Sequence, residues 1–117
     1  MNKVVLITGG ARGIGSAIAL ELAKHGYDIV INYLTSKQPA KELKEKIESH
    51  YHVRCLTICA DVSDVDQVNI MVSEIEEKMG GVDILINNAA VDLSNLFHLK
   101  NAEEFKRTLD VNVVGAF

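Results

Sequence analysis

The chain has 117 residues, of which 48% are hydrophobic and 24% charged, and this balance is typical of a globular domain and excludes a disordered chain. The formal net charge of −4 provides no basic surface for nucleic acid or for an anionic membrane. Only four apolar residues separate Lys3 from Thr8, too few for a signal peptide or a membrane span. We therefore expect one domain, in the cytoplasm, with neither nucleic acid nor a membrane as its partner.

Alternating apolar and polar stretches predict the order β-α-β-α-β-α-β-α. The four strands are predicted at residues 4–7, 28–32, 53–59 and 82–86. The first helix is predicted at residues 16–24, on a stripe of Ile14, Ile18 and Leu22 that faces inward, and Gly26 ends it. The second helix is predicted to start near Pro39, with Leu43 and Ile47 inward. The third helix is predicted to run from an N-cap at Ser63 to Gly80-Gly81, and the apolar residues on one of its sides are Val65, Val68, Val72, Ile75 and Met79. The fourth helix is predicted to begin at a capping pair, Asn101 and Glu104, and to contain Phe105, Leu109 and Val113.

Strands that alternate with helices imply right-handed crossovers and a parallel sheet. We predict an incomplete, doubly wound α/β fold of the Rossmann type, with the first four strands in the order 3-2-1-4. The fourth strand would then be an apolar edge with unpaired backbone groups, which favours aggregation.

The segment Thr8-Gly9-Gly10-Ala11-Arg12-Gly13-Ile14-Gly15 joins the first strand to the first helix. The first amides of a helix have no acceptor within the helix, and the helix dipole favours an anion beside them. We expect Gly9 to turn the chain out of the strand, Gly13 to let a diphosphate approach the backbone, and Gly15 to let the helix pack closely. The strand–turn–helix context favours a dinucleotide site over the alternative, a plain structural turn.

The end of the second strand bears on the choice of dinucleotide. Folds that bind NAD usually place an acidic residue there, yet no Asp or Glu occurs between Asp28 and Glu42. Arg12 adds a positive charge that would favour a 2′-phosphate by a contact of about 1.5–3 kcal/mol, although it could simply be solvated. We predict NADP(H) as the cofactor, with Tyr33 and Ser36 as further contacts.

Two polar motifs follow later strands. Ala60-Asp61-Val62 comes after the third strand and Asn87-Asn88-Ala89-Ala90 after the fourth, at the edge where open α/β sheets bind ligands. Together with T-G-x-x-x-G-I-G, these motifs resemble those of the short-chain dehydrogenase/reductase family. The resemblance implies that the cofactor is contacted by Asp61, Val62, Asn88, Ala89 and Ala90.

Two features of these motifs leave alternatives open. Ala90 stands where the family has Gly, and a β-carbon there costs about 1 kcal/mol if the backbone needs a positive φ. Either Asn alone could instead be a turn former.

Asn112 lies in Asp110-Val111-Asn112-Val113-Val114-Gly115, which we expect to be helical. An Asn inside a helix competes with the backbone hydrogen bonds, so its presence there needs a reason. The resemblance implies that Asn112 is catalytic and holds a water of a proton relay. A satisfied structural Asn is the alternative.

The family's remaining catalytic residues, a Ser and a Tyr-x-x-x-Lys pair, are predicted to lie beyond Phe117. Tyr33 and Lys37 have the right spacing, but they precede Pro39 at the adenosine end and are not expected on one helix. We therefore expect the amino-terminal part of a longer polypeptide, or a gene fragment, that is inactive alone.

The resemblance implies that the intact protein reduces a ketone with NADPH. The substrate would be a small molecule or a 3-oxoacyl group on an acyl carrier protein, as in fatty acid biosynthesis, and the assembly a tetramer. The alternative is a non-catalytic nucleotide-binding fragment or remnant.

Cys55 and Cys59 both fall in a predicted strand, about 13 Å apart and beyond disulfide reach. The histidines form no metal-ligand spacing with them, so no metal site is expected. We interpret both cysteines as small buried hydrophobic residues.

Overall fold

The computed structural model describes residues 2–88 and the backbone of residues 110–112. In these residues one parallel sheet has the strand order β3-β2-β1-β4-β5. The elements, in chain order, are β1 (Val4–Thr8), α1 (Gly13–Lys24), β2 (Asp28–Tyr33), α2 (Lys37–His50), β3 (Cys55–Cys59), α3 (Val65–Met79), β4 (Ile84–Asn87) and β5 (Asp110–Asn112). The predicted α/β class and the order 3-2-1-4 are confirmed.

Strand β1 lies at the centre of the sheet, and all five of its residues are buried. One face of the sheet packs against α3, in a cluster that includes Leu6, Val68 and Ile75. The other face packs against α1 and α2, in a cluster that includes Ile7 and Ile47. Helices on both faces explain why β1 is an unbroken apolar run, because neither side of the strand meets water.

The most deeply buried residues of helix α1 are not the ones predicted. Its buried residues are Gly15, Ala19 and Ala23. By contrast, 64% of Ile14 is exposed, and two larger residues are only partly buried, Ile18 and Leu22. The inward prediction was wrong for Ile14, whereas Ile18 and Leu22 pack against the core cluster as predicted. The fully buried positions are taken by small residues, which let the helix approach the strands closely.

Helix α2 begins at Lys37, so Pro39 lies in its first turn. Leu43 and Ile47 are buried as predicted, together with Ala40.

Helix α3 is capped by Asp64 rather than by Ser63. The Asp64 carboxylate accepts from the amides of Asp66 at 2.9 Å and Gln67 at 3.3 Å. Ser63 instead donates to Asp61, so the expected N-cap was one residue too early. At the other end the helix stops at Gly80, whose φ of 85° confirms the predicted glycine terminus.

The predicted fourth helix is wrong at residues 110–112, which form β5. β5 pairs in parallel with β4, with Leu85 opposite Val111 and Ile86 opposite Asn112. The free edge of β4 offers main-chain partners, and the valines in and after this segment favour a strand. β4 is therefore not the sheet edge that the sequence predicted. The other residues on which the helix prediction rested lie outside the described residues: Asn101, Glu104, Phe105, Leu109 and Val113.

The two cysteines are both free, but only Cys55 is buried, whereas Cys59 is exposed. The interpretation of both as core residues was wrong for Cys59, which lies at the end of β3. Among the described residues no group of His, Cys, Asp and Glu could hold a metal ion. None of the helices described is long and apolar enough to cross a membrane.

Candidate functional site: the carboxyl edge of the sheet

The glycine turn, residues 8–15, lies at the carboxyl edge of the sheet, between β1 and α1. Gly9 and Gly13 have φ values of 62° and 56°, which side chains rarely adopt. At Gly9 this conformation turns the chain out of β1, as predicted. At Gly13 an added β-carbon would meet no atom of the described residues within 4 Å, so these residues leave space for a ligand on that side of the turn.

Within the described residues, the first amides of α1 have no hydrogen-bond acceptor. The helix begins at Gly13, and Ser16 N–H donates to the Arg12 carbonyl at 3.3 Å. The N–H groups of Gly13, Ile14 and Gly15 donate to no acceptor in the part of the chain that the structure describes. Three outward amides at the positive end of a helix dipole form a site for a phosphate group.

Arg12 precedes these amides in an extended conformation, with its side chain exposed to solvent. The first turn of α1 contains no acidic residue, so nothing on this turn repels an anion. The charge of Arg12 therefore adds to that of the helix terminus. Ala11, beside it, is buried in the core and can present only its backbone to a ligand.

The two glycines at the start of the turn bind Asn32, the penultimate residue of β2. Gly9 N–H donates to Asn32 Oδ1 at 3.3 Å, and Gly10 N–H donates to the Asn32 carbonyl at 3.1 Å. Asn32 Nδ2 donates to the Ala60 carbonyl at 3.0 Å, just after β3. The sequence analysis missed this residue, and the available signal was one Asn directly after the apolar run Ile29-Val30-Ile31.

On the other side, the end of β4 is tied to the turn by three hydrogen bonds. Thr8 Oγ1 donates to Asn87 Oδ1 at 2.8 Å and accepts from Asn88 N–H at 3.1 Å. Asn88 Nδ2 donates to the Gly9 carbonyl at 3.1 Å. Thr8 and Asn88, both predicted as cofactor contacts, thus hold the turn in place through their side chains.

Asp61 lies after β3 at the same edge. Its carboxylate accepts from Ser63 Oγ at 2.6 Å and from Ser63 N–H at 2.9 Å, and these bonds lower the pKa of the Asp61 carboxyl. Asp61 is therefore ionised at neutral pH and accepts hydrogen bonds. Its neighbour Val62 is buried in the core, so a cofactor contact there would use its main chain.

Tyr33 ends β2 and Ser36 precedes α2, so both lie at the carboxyl edge. The Ser36 side chain makes no capping hydrogen bond, and the first turn of α2 has no acidic residue. Lys37 is the first residue of α2, so the Tyr33–Lys37 pair spans a strand end and a helix start. As predicted, this pair does not lie on one helix.

Three of the predicted site residues cannot be placed by their side chains. Ala89 and Ala90 lie outside the described residues, and of Asn112 only the backbone is described. Asn112 lies in β5 beside Ile86 of β4, not within a helix.

Comparison with known proteins shows which family the chain belongs to. The sequence model of the family described as short chain dehydrogenase matches residues 3–117. Over 117 residues the chain is 38% identical to a 3-oxoacyl-[acyl-carrier-protein] reductase of Staphylococcus aureus, with 100% of this chain and 47% of the relative covered. It is 40% identical over 118 residues to versicolorin reductase 1 of Dothistroma septosporum, covering 99% of this chain and 44% of that protein.

Among solved structures, a short chain dehydrogenase from Burkholderia cenocepacia in complex with NADP is similar, with a TM-score of 0.77 and 32% identity. The match covers 97% of this chain and 55% of that one. An acetoin dehydrogenase from Salmonella typhimurium has a TM-score of 0.70 and 35% identity, covering 78% of this chain and 37% of that one. The chain thus spans about half the length of the curated relatives it matches. It belongs to the short-chain dehydrogenase family.

Proposed function

We propose that this chain is the NADP(H)-binding part of an oxidoreductase that reduces a ketone to a secondary alcohol by hydride transfer. The proposal rests on three amides, at Gly13, Ile14 and Gly15, that have no acceptor among the described residues and lie at the carboxyl edge of a parallel sheet. The cofactor supplies the hydride, and this chain's residues hold and orient it.

The diphosphate is assigned to the open amides because they combine free donors with the positive end of the helix dipole. Arg12, Tyr33 and Ser36 are assigned to the 2′-phosphate, and Asp61 with the main chain of Val62 to the adenine end. Ala89 and Ala90 are proposed as further contacts. No acidic residue occurs from residue 29 to residue 41, so no carboxylate in this segment repels a 2′-phosphate.

The substrate proposed is a ketone, either a small molecule or a 3-oxoacyl group on an acyl carrier protein. Support comes from the Staphylococcus aureus relative, whose name gives that reaction. Asn112 is proposed as a catalytic residue, and a Ser and a Tyr-x-x-x-Lys pair are proposed to come from residues beyond the printed 117. We further propose a tetramer for the intact protein and the cytoplasm as its location.

Cofactor titration tests the binding proposal. NADPH and NADH are titrated by fluorescence against the wild type, Arg12→Ala and Lys24→Ala. Lys24 is exposed near the other end of α1, so its substitution removes the same charge far from the turn. We expect Arg12→Ala to weaken NADPH binding about ten- to a hundredfold and to leave NADH binding unchanged, because only NADPH carries the additional phosphate. Tighter binding of NADH by the wild type would overturn the assignment, as would equal effects of the two substitutions.

Turnover by the purified 117-residue chain tests whether these residues bind the cofactor but lack part of the catalytic set. We expect no NADPH-dependent reduction of a 3-oxoacyl thioester, because the proposed proton donor is not among these residues. Measurable turnover that Asn112→Ala abolishes would contradict this expectation. A chain that binds neither NADPH nor NADH would favour the second candidate, a non-catalytic remnant.

A further inference from the structure

Asn32 is a buried polar residue that the proposed function does not use. Only 3% of its surface is exposed, and it follows three buried apolar residues of β2, Ile29, Val30 and Ile31. Burying an amide side chain is unfavourable unless its donor and acceptor are both paired. The partners of Asn32 therefore reveal why a polar group stands at this point.

Both ends of the Asn32 side chain are paired, and they join three segments at the carboxyl edge. Its oxygen accepts from Gly9 N–H at 3.3 Å, and its nitrogen donates to the Ala60 carbonyl at 3.0 Å. Its main-chain carbonyl accepts from Gly10 N–H at 3.1 Å. One residue thus fixes the start of the glycine turn relative to the ends of β2 and β3.

These bonds divide the amides of the turn into two groups. Those of Gly9 and Gly10 are committed to Asn32, whereas the first amides of α1, at Gly13, Ile14 and Gly15, have no acceptor in the described chain. A turn fixed at its start need not be ordered when a ligand arrives, and this lowers the entropy cost of binding.

We infer that Asn32 is a positioning residue, which sets the glycine turn so that a diphosphate binds the amides of α1 and not those of Gly9 and Gly10. The identity of the ligand rests on the proposed function, but the setting of the turn by Asn32 does not. Asn32 makes no contact with the ligand itself and acts through the turn.

Three variants separate positioning from general stability. Asn32→Leu keeps a similar volume and removes both side-chain hydrogen bonds. Asn32→Asp keeps the acceptor for Gly9 N–H and loses the donor to the Ala60 carbonyl. Val30→Ala, two residues earlier in β2, destabilises the core at a fully buried position without touching the turn.

Amide hydrogen exchange, followed by NMR with and without NADPH, reads out the turn directly. In Asn32→Leu we expect Gly9 N–H to exchange at least about tenfold faster than in Val30→Ala, once both are corrected for global stability. Asn32→Asp should retain protection at Gly9 because its acceptor remains. NADPH should bind about tenfold more weakly to Asn32→Leu than to Val30→Ala. In the wild type, NADPH should shift the amide signals of Gly13, Ile14 and Gly15 more than those of Gly9 and Gly10.

Equal exchange at Gly9 in Asn32→Leu and Val30→Ala would overturn the inference. So would NADPH shifts at Gly9 and Gly10 as large as those in α1, an observation that needs only the wild type and decides the matter if Asn32→Leu does not fold. If the wild type fails to bind NADPH, the proposed function fails, while the exchange of Gly9 still decides whether Asn32 sets the turn.

Discussion

Gly15 packs directly against the back of the glycine turn. A β-carbon at this position would lie 2.6 Å from Asn88 Nδ2, 2.7 Å from the Gly9 carbonyl oxygen and 2.8 Å from the Gly10 Cα. Two of these three atoms belong to the backbone of the turn, so they cannot move aside without displacing the turn. The requirement for glycine at this residue is therefore one of space, whereas at Gly13 it is one of backbone conformation.

Gly15→Ala is expected to lower the free energy of unfolding by about 1–3 kcal/mol, as overpacking does, and to weaken NADPH binding. The matched control is Gly26→Ala, where the added carbon meets nothing within 4 Å and only the φ of 92° causes strain, at a cost of about 1 kcal/mol. Urea unfolding and NADPH titration measure both effects. NADPH binding by Gly15→Ala as tight as that of Gly26→Ala would refute the steric argument.

The two cysteines differ in exposure, and this difference should decide their reactivity. Burial, assisted by the charge of Glu48, raises the pKa of the Cys55 thiol to about 12, so it remains a thiol at pH 8. Cys59 is exposed at the end of β3, where its thiol donates to the Leu34 carbonyl. In the native chain we expect a thiol reagent at pH 8 to label Cys59 and spare Cys55, and to label both in urea. Cys59→Ser should abolish native labelling; rapid labelling of that variant would contradict the buried position of Cys55.

At the scale of elements, the start of α3 shows how a cap selects one residue among several candidates. Ser63, Asp64 and Asp66 are all residue types that cap helices, and they lie within four positions of each other. Asp64 takes the role because its extended backbone directs its carboxylate at two open amides, while Ser63 is engaged by Asp61. Asp66 lies within the first turn of the helix, where its charge suits the helix dipole.

Asp64→Ala is therefore expected to lower the free energy of unfolding by about 1 kcal/mol, because two amides of α3 lose their acceptor. Ser63→Ala is the neighbouring control, since it removes a hydroxyl from the surface and leaves the cap intact. Thermal and urea unfolding of the two variants provide the comparison. A larger loss for Ser63→Ala would show that the sequence prediction of the cap had been right.

The elements that were predicted correctly from the sequence depend on patterns among neighbouring residues. The apolar runs of β1 and β2 and the glycine after α3 are each visible within a few neighbouring residues, and each was predicted. The inward stripe of α1 was predicted only in part, because Ile18 and Leu22 pack against the core but Ile14 is exposed. Hydrophobicity ranks Ile above Ala, whereas close contact with the sheet favours Ala19 and Ala23 at the most buried positions. β5 was missed because its pairing depends on β4, more than twenty residues earlier.

In the candidate site, too, the features that depend on neighbouring residues were predicted and those that depend on distant ones were not. The glycine spacing predicts the turn and its open amides, because those properties follow from strand, turn and helix in succession. The roles of Asn32 and Asn88 could not be predicted in this way, because each side chain bonds to Gly9 across more than twenty residues of chain. Hydrogen bonds between the ends of different strands become visible only once the strand order is known.

At the scale of the whole molecule, the two edges of the sheet differ in how their polar groups are used. At the carboxyl edge the first three amides of α1 have no acceptor in the part of the chain that is described. At the amino edge, Asp28 at the start of β2 is 2% exposed and accepts from Asn2 Nδ2, from Arg54 N–H and from the Arg54 guanidinium. The guanidinium is 2.7 Å from the carboxylate at its nearest approach. The ligand site that we propose lies at the carboxyl edge, whereas the ion pair of Asp28 and Arg54 stabilises the amino edge.

The Asp28 pair predicts how the stability of the fold depends on pH. Burial, the largest influence, raises the pKa of Asp28, but the hydrogen bonds from Arg54 and Asn2 outweigh it, so the folded pKa lies below its ordinary value of 3.8. A carboxyl whose pKa is lowered by folding stabilises the native state above the unfolded pKa. That contribution is lost as the pH falls through the folded pKa.

Arg54→Met should lower the free energy of unfolding at pH 7 by about 1–3 kcal/mol, a range that allows for the half-exposed guanidinium. The difference from the wild type should stay constant down to about pH 5 and shrink below the ordinary Asp28 pKa of 3.8. Lys78→Met is the control, because it breaks an exposed ion pair with Glu74 and should cost no more than about 0.5 kcal/mol. Urea unfolding from pH 7 to pH 3 measures all three proteins. A difference between wild type and Arg54→Met that widens in acid would mean that the ion pair does not hold the pKa of Asp28 down.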